Sequence, residues 1–310
     1  MELSNSIKKR FIKDYKLPFQ VTQEPMFSYY IKTLDPYFKT EHKLSLLKEV
    51  VETLGTEEDF FSESNKVKSQ LIETIQAQEA YKGLQSNLLK EYDVHNGVSS
   101  RDIYTMENIN KTFISLDLKH ANFNVFRDFD PSLTLGFDTY AELVGSVSEF
   151  DYFKQSKYLR QVIFGNMLPK KQQKLQKFVM SKLITMLHED IGIAMDDFVS
   201  ASADEVVFAV SKDNISSFVE MIERKMAANT VTEKYAPWVR VEAFDLLAIG
   251  DKKFFVKENC LDGSVDFKGI PSFLFMQVYK KYIGEDLEPL DKTFFHEGYM
   301  ASFTDTVFDD

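Results

Sequence analysis

Apolar residues at helical spacing mark the first clear element. Leu44, Leu47, Val50, Val51 and Leu54 share one face of a helix over 41–54, and Gly55 is placed to cap it. Upstream, residues 1–40 are mixed and aromatic, with Pro18, Pro25 and Pro36 breaking any long helix. Residues 57–92 read as one long Gln/Glu/Lys-rich helix whose sparse apolar positions are Val67, Leu71, Ile75 and Leu88. Asn96-Gly97 and the polar residues around it make 93–110 a linker. Then the pattern shifts. Thr112 to Leu118 is β-branched and apolar, as a buried strand is. Residues 138–165 read as helical. Pro169 suits the first turn of a helix over 169–188, with Leu175, Phe178, Val179, Leu183, Met186 and Leu187 on one face. Residues 197–210 predict two strands joined by a tight Ser-Ala-Asp-Glu turn, 215–228 a helix, and Trp238 to Ile249 a further strand. Two short strands flank Asp262-Gly263 within 253–268, and a helix is expected over 271–283 in an otherwise irregular, aromatic C-terminal segment.

Composition sets the class. In 310 residues, 44% hydrophobic content supplies a real core, while 27% charged residues, 12 Gly and 8 Pro argue against disorder. No apolar run reaches about 18 residues, so no membrane span and no membrane partner are expected. The charged start of the chain lacks an apolar run after its basic residues, so no secretory signal is expected either. A single cysteine, Cys260, cannot form an internal disulfide or a CxxC zinc site.

The net charge of −11 argues against nonspecific coating of nucleic acid, but the charge is uneven. Lys154, Lys157, Arg160, Lys170, Lys171, Lys174, Lys177 and Lys182 follow one another with no acid between Tyr152 and Lys182. The rest of the chain holds 29 basic residues against 48 acidic ones, or −19. A solvated helix face is the plain reading of that strip.

The candidate chemistry lies in carboxylates. Asp117 stands near the end of a buried strand, and Asp204 and Glu205 at a hairpin tip. Both follow apolar β runs, where burying a charge without a partner is costly. Converging at one sheet edge, they suit Mg²⁺ or Mn²⁺, hard cations held by one or two carboxylates plus substrate phosphates. Such a site activates a 3′-hydroxyl and stabilises leaving pyrophosphate. His42, His95, His120, His188 and His296 are scattered, and no Ser/His/Asp arrangement supports hydrolase chemistry.

Four segments, in order, resemble the palm of family B DNA polymerases. Ser115-Leu116-Asp117-Leu118 through Phe123 resembles the first motif, with Asn122 where the family has a Tyr that excludes ribose. Lys157 through Gly165 resembles the fingers pattern Lys-x-x-x-Asn-Ser-x-Tyr-Gly, with Gln161 for the Asn and Val162 for the Ser. Ser202-Ala203-Asp204-Glu205-Val206 resembles the third motif, Tyr-Gly-Asp-Thr-Asp, and is also similar to reverse transcriptase and diguanylate cyclase palms. Lys252-Lys253-Phe254-Phe255 resembles the segment that grips the primer, and a later Lys268-Gly269 resembles the end of the palm. The resemblance spans about 110–275. It implies an α+β fold: an antiparallel polymerase-type palm sheet with helices on one face, preceded by a mainly helical N-terminal region. The corresponding divisions are 1–108, a palm over 109–275 with inserted fingers-like helices at 138–188, and a short thumb-like or capping segment over 276–310.

The resemblance further implies a minimal polymerase or nucleotidyltransferase acting on nucleoside triphosphates and a DNA or RNA primer-template, alongside other replication proteins. Asp117 and Asp204 hold the metal, with Glu205 assisting catalysis. Lys157, Arg160, Gln161, Phe164, Gly165 and Asn122 contact the nucleotide. Lys170, Lys171, Lys174, Lys177, Lys252 and Lys253 contact nucleic acid. The chain is too short for a 3′–5′ exonuclease and a full thumb. The departures at Asn122 and in the third motif leave a second reading, a catalytically inactive palm that binds nucleic acid or protein. A third is a template-free cyclase-like enzyme. The expected location is cytoplasmic, in the host cytoplasm if the chain is viral.

Overall fold

A computed structural model of the chain describes residues 3–94, 97–250, 254–296 and 299–304. The α+β class holds, with a mainly helical N-terminal region leading into a six-stranded antiparallel sheet. The first region carries α1 (Asn5–Tyr15), α2 (Met26–Phe38), α3 (Thr40–Leu54), α4 (Glu57–Ala77) and α5 (Glu79–Ser86). Helix α4 starts as its sequence dictates. The Thr56 side chain accepts the Asp59 N–H, and Glu57, Glu58 and Asp59 meet the positive end of the helix dipole. The single helix expected over 57–92 breaks at Gln78, whose backbone is extended. Val67, Leu71 and Ile75 form one buried stripe, but the next buried positions are Tyr81 and Leu84, off that stripe, so the chain must turn to bury them. Pro18 and Pro25 separate α1 from α2 as expected. Pro36 sits inside α2 near its end, where the missing N–H leaves only the carbonyl of exposed Lys32.

The sheet comprises β1 (Thr112–Leu118), β2 (Phe198–Ala201), β3 (Glu205–Val210), β4 (Val239–Ala248), β5 (Phe255–Asn259) and β6 (Val265–Lys268). Its order is β2-β3-β1-β4-β5-β6, with every neighbouring pair antiparallel. Between β1 and β2 run α6 (Ala121–Phe129), α7 (Tyr140–Gly145), α8 (Asp151–Gln155), α9 (Lys157–Gly165) and α10 (Pro169–Met186). Helix α11 (Ile215–Ala228) joins β3 to β4. The first four strands therefore make a β-α-β-β-α-β unit in which β3 lies between β1 and β2, and β1 between β3 and β4.

Alternation along the strands separates two faces. Ile114, Leu116, Leu118, Val206, Phe208 and Ala243 join one apolar core that runs on through α6, α9, α10 and α11 into the N-terminal helices. Burying each of these Ile, Leu, Val and Phe side chains contributes about 1.5–3 kcal/mol. The N-terminal region and the sheet thus share a core. On the opposite face Phe113, Val207, Phe244, Leu246 and Phe255 are covered by Ile103, Tyr104 and Ile109 from the segment before β1. Helix α12 (Phe275–Tyr282) packs its Val278 against Val256 of β5. The C-terminal segment adds a hairpin, β7 (Thr293–His296) and β8 (Tyr299–Ser302), where no regular structure was expected. No helix among the described residues is long and apolar enough to cross a membrane.

Candidate active site

Beyond the apolar cover, the exposed sheet face turns from oil to charge. Along β1 the same face carries Phe113, Ser115 and then Asp117. Asp117 stands directly opposite Glu205 on β3 and Arg240 on β4. Two carboxylates facing across a ladder repel. Cations answer them: Arg240 Nη2 lies 3.1 Å from Asp117 Oδ2, and its Nη1 lies 3.1 Å from Glu242 Oε1. Lys257 reaches Glu242 at 3.4 Å and Glu205 at 3.8 Å. Burial raises the Asp117 pKa. Arg240 opposes that rise, and the neighbouring Asp204 and Glu242 add to it. Burial likewise raises Glu205, against Lys257 and with Asp117.

The hairpin tip is fixed beside the end of β1. The Leu118 N–H donates to the Asp204 carbonyl at 2.8 Å, and the Lys119 N–H to the Trp238 carbonyl at 2.8 Å. Ser202 Oγ accepts the N–H groups of Asp204 (3.2 Å) and Glu205 (3.0 Å) and donates to Asp204 Oδ1 at 3.0 Å. That is a serine turn, the local chemistry that Ser-x-Asp provides. The chain leaves β1 through His120, at φ 47°, and enters α6.

These elements enclose a cleft of about 660 Å³. Of the residues expected at a site, Asp117, Asn122, Lys157, Arg160, Gln161 and Asp204 all line it. Its size is that of a small-molecule pocket. Asp117 comes from β1, Asp204 from the β2–β3 turn, and Lys157 and Arg160 from α9, with Lys119, Arg127 and Arg240 also along the lining. The Arg160 guanidinium lies 5.6 Å from the centre of the Tyr140 ring. The Tyr140 hydroxyl is buried with no hydrogen-bond partner among the described residues. Asn122 Oδ1 accepts from Gln176 Nε2 at 2.6 Å, which orients the amide. Partial burial, then Arg160 and Lys119, lower the His120 pKa to about 4.

A second trough, of about 330 Å³, lies on the sheet face and is lined by Glu205, Glu242, Lys257, Asp266 and Lys268. It shares Asp117 and Arg240 with the first cleft, so their ion pair divides the two.

Other expected site residues stand elsewhere. Phe164 is fully buried, 5.6 Å from Phe123 and 6.1 Å from Phe126 between ring centres, and belongs to the core. Gly165 ends α9 away from the cleft lining. Lys171 donates to the Asn87 carbonyl, and Lys174 pairs with Asp93 at 2.7 Å, so both tie α10 to the segment after α5. Lys170 and Lys177 are exposed on α10. Lys252 and Lys253 lie outside the described residues.

Sequence reasoning missed Arg240, Glu242 and Lys257. The signal existed: Arg240 and Glu242 alternate with Val239, Val241 and Ala243, the period-two mark of a strand whose polar face is in use.

The donor set suits a hard divalent cation: two carboxylates, Asp117 and Asp204, line one cleft, and Arg240 contacts only Oδ2 of Asp117. No group of three or more His, Cys, Asp or Glu side chains converges on a metal position among the described residues. No family model, no curated protein and no solved structure matches this chain.

Proposed function

We propose that the chain is a minimal palm-type nucleotidyltransferase that moves a nucleotidyl group from a nucleoside triphosphate onto a nucleic-acid 3′ end. One observation carries the reading: Asp117 and Asp204 line the same cleft as Lys157 and Arg160. Phosphoryl transfer asks for little covalent chemistry from the protein and a great deal of charge placement. In this reading Lys157 and Arg160 hold the triphosphate, and Gln161 and Asn122 border the nucleoside. Asp117 and Asp204 hold Mg²⁺ or Mn²⁺, with Glu205 beside them. When bound, the ion supplies Lewis-acid charge at the phosphoryl oxygens. The 3′-hydroxyl gives up its proton to solvent as its oxygen bonds to the α-phosphorus, the bond from that phosphorus to the α–β bridging oxygen breaks, and pyrophosphate leaves with the electron pair. The β-α-β-β-α-β sheet, with its acids at the end of β1 and the β2–β3 turn, is in keeping with a palm, and the lack of a membrane-length apolar helix among the described residues is compatible with a cytoplasmic location.

The test is incorporation of labelled ribo- and deoxyribonucleotides on primed and unprimed DNA and RNA, with Mg²⁺ or Mn²⁺, beside the Asp117→Asn protein. Extension that the variant abolishes supports the reading; no incorporation on any template overturns it. A second reading, an inactive palm kept as a binding module, draws on the Arg240–Asp117 pair and the absence of a three-ligand cluster among the described residues. Divalent-ion binding separates the two. A transferase binds Mn²⁺ and loses that binding in Asp117→Asn, whereas the module binds none.

A further inference from the structure

Of the basic strip that stands out in the sequence, Lys171 and Lys174 are engaged within the fold, where they hold main-chain carbonyls and Asp93. A different set of cations gathers at the cleft, drawn from segments far apart in the chain. Lys16 ends α1, Lys39 stands between α2 and α3, and Lys43 lies one turn into α3. Helix α1 packs against both α3 and α9, and α9 begins with Lys157. Lys16, Lys39 and Lys157 are exposed and Lys43 is half-buried.

These groups stand within one another's field. Partial burial and then Lys39 and Lys157 lower the Lys43 pKa. Partial burial and then Lys16, Arg160 and Lys268 lower that of Lys157, with Asp266 alone opposing. The surface therefore continues from Lys157 and Arg160 at the cleft onto the N-terminal helices. Aromatic rings lie among the cations: Lys43 sits 5.2 Å from the Tyr15 ring centre and Lys13 4.0 Å from that of Tyr158, the residue after Lys157. Lys16 and Lys39 both hold φ 49°, the left-handed conformation that glycine or asparagine usually fills at a helix end. A cation cluster assembled from three helices on a chain of net charge −11 costs self-repulsion unless a polyanion meets it.

We infer that Lys16, Lys39 and Lys43, with Lys157, form a track on the N-terminal helical region that binds the phosphate backbone of a nucleic-acid strand entering the cleft. This partner rests on reading the cleft as a nucleotidyl-transfer site. A run of phosphates fits better than a single triphosphate, because the lysines extend beyond the cleft lining, which holds Lys157 but not Lys16, Lys39 or Lys43.

The test uses fluorescence anisotropy of labelled single-stranded 20-mers, DNA and RNA, titrated with full-length protein at several salt concentrations. The variants are Lys16→Gln/Lys39→Gln/Lys43→Gln and, as a control on exposed α11 cations outside the cleft lining, Arg224→Gln/Lys225→Gln. Circular dichroism and thermal melts establish that each is folded. The triple variant is expected to bind about tenfold more weakly at low salt, with a salt slope shallower by about 2, since each single-strand phosphate contact contributes about 0.7. The α11 control should change binding less than twofold. Unchanged affinity and slope in the folded triple variant overturn the track, as does a wild-type protein that binds neither strand. If the triple variant loses binding while the wild type incorporates nothing, the track stands and the transferase reading falls. If the wild type incorporates nucleotides and the triple variant binds normally, the reverse holds.

Discussion

The guanidinium of Arg240 joins Asp117 and Glu242, each at 3.1 Å, although Asp117 and Arg240 stand on different strands and 123 residues apart. The pair divides the cleft from the trough, so every charge balance at the site passes through it. Burial raises the Asp117 pKa in the folded protein, and Arg240 offsets only part of that rise. A carboxyl whose folded pKa exceeds its unfolded one favours folding at low pH. That contribution is lost as pH rises through the folded value.

Asp117→Asn should therefore abolish nucleotide incorporation and at pH 7 raise Tm by about 2 °C, roughly 1 kcal/mol for a chain of this size. Arg240 keeps Glu242 in the variant, so no buried cation is orphaned. The gain over wild type should shrink as pH falls into the carboxylate range. Thermal melts from pH 7 to 4 check both sign and window. A variant less stable than wild type at pH 7 would show that the ion pair outweighs burial.

His120 gives the opposite slope. Its pKa falls from an ordinary 6.5 to about 4, so its contribution is present above 6.5 and lost as pH falls toward 4. His120→Asn keeps the left-handed backbone, which asparagine tolerates, and removes the titration. The variant should lose less stability than wild type between pH 6.5 and 4. Urea titrations at those two values make the comparison.

Phe164 tests the boundary between site and core. It is fully buried against Phe123 and Phe126. Phe164→Ala should cost about 3–5 kcal/mol, read from the urea midpoint. A loss under about 1 kcal/mol would move the ring out of the core.

Asn122 tests sugar choice. Its amide is pinned by Gln176 and lines the cleft. In a working transferase, Asn122→Tyr should lower the ratio of ribonucleotide to deoxyribonucleotide incorporation at least about tenfold, the scale of one steric clash in a pocket. Single-nucleotide incorporation with matched ribo- and deoxyribonucleotides measures it. An unchanged ratio would remove Asn122 from sugar selection.

The strands were legible because their signals are local. Thr112 to Leu118 is apolar at nearly every position, and the turn at Asp204 follows from its serine and acid. The placement of Asp117, Asp204, Lys157 and Arg160 around one cleft was also within reach, since Asp117, Asp204 and Lys157 sit at or beside element ends and Arg160 lies one turn into α9. Helix α6 was missed because Lys119 and His120 follow the strand with no capping side chain, and no side-chain cap is made. The partners of Lys171 and Lys174 within the fold were hidden for a different reason. Whether a lysine meets solvent or a neighbouring carbonyl depends on what packs beside it, and Asn87 lies 84 residues from Lys171. The same nonlocality hid Lys16, Lys39 and Lys43, whose common neighbourhood exists only once α1 and α3 have docked beside α9.

The order of the sheet has a bearing on how the chain is made. Strand β1, which carries Asp117, is interior, yet one of its partners is β3 and the other β4. When β1 leaves the ribosome neither partner exists, and β4 follows only after more than a hundred further residues. At about 5–20 residues per second, that interval lasts several seconds. Throughout it, an apolar strand has an unpaired edge, the kind of template on which chains aggregate. The helices between β1 and β2 appear during that wait and cover one face of the strand, but they cannot close its edge. A message cut short before β4 would thus yield a sticky fragment as well as an inactive one.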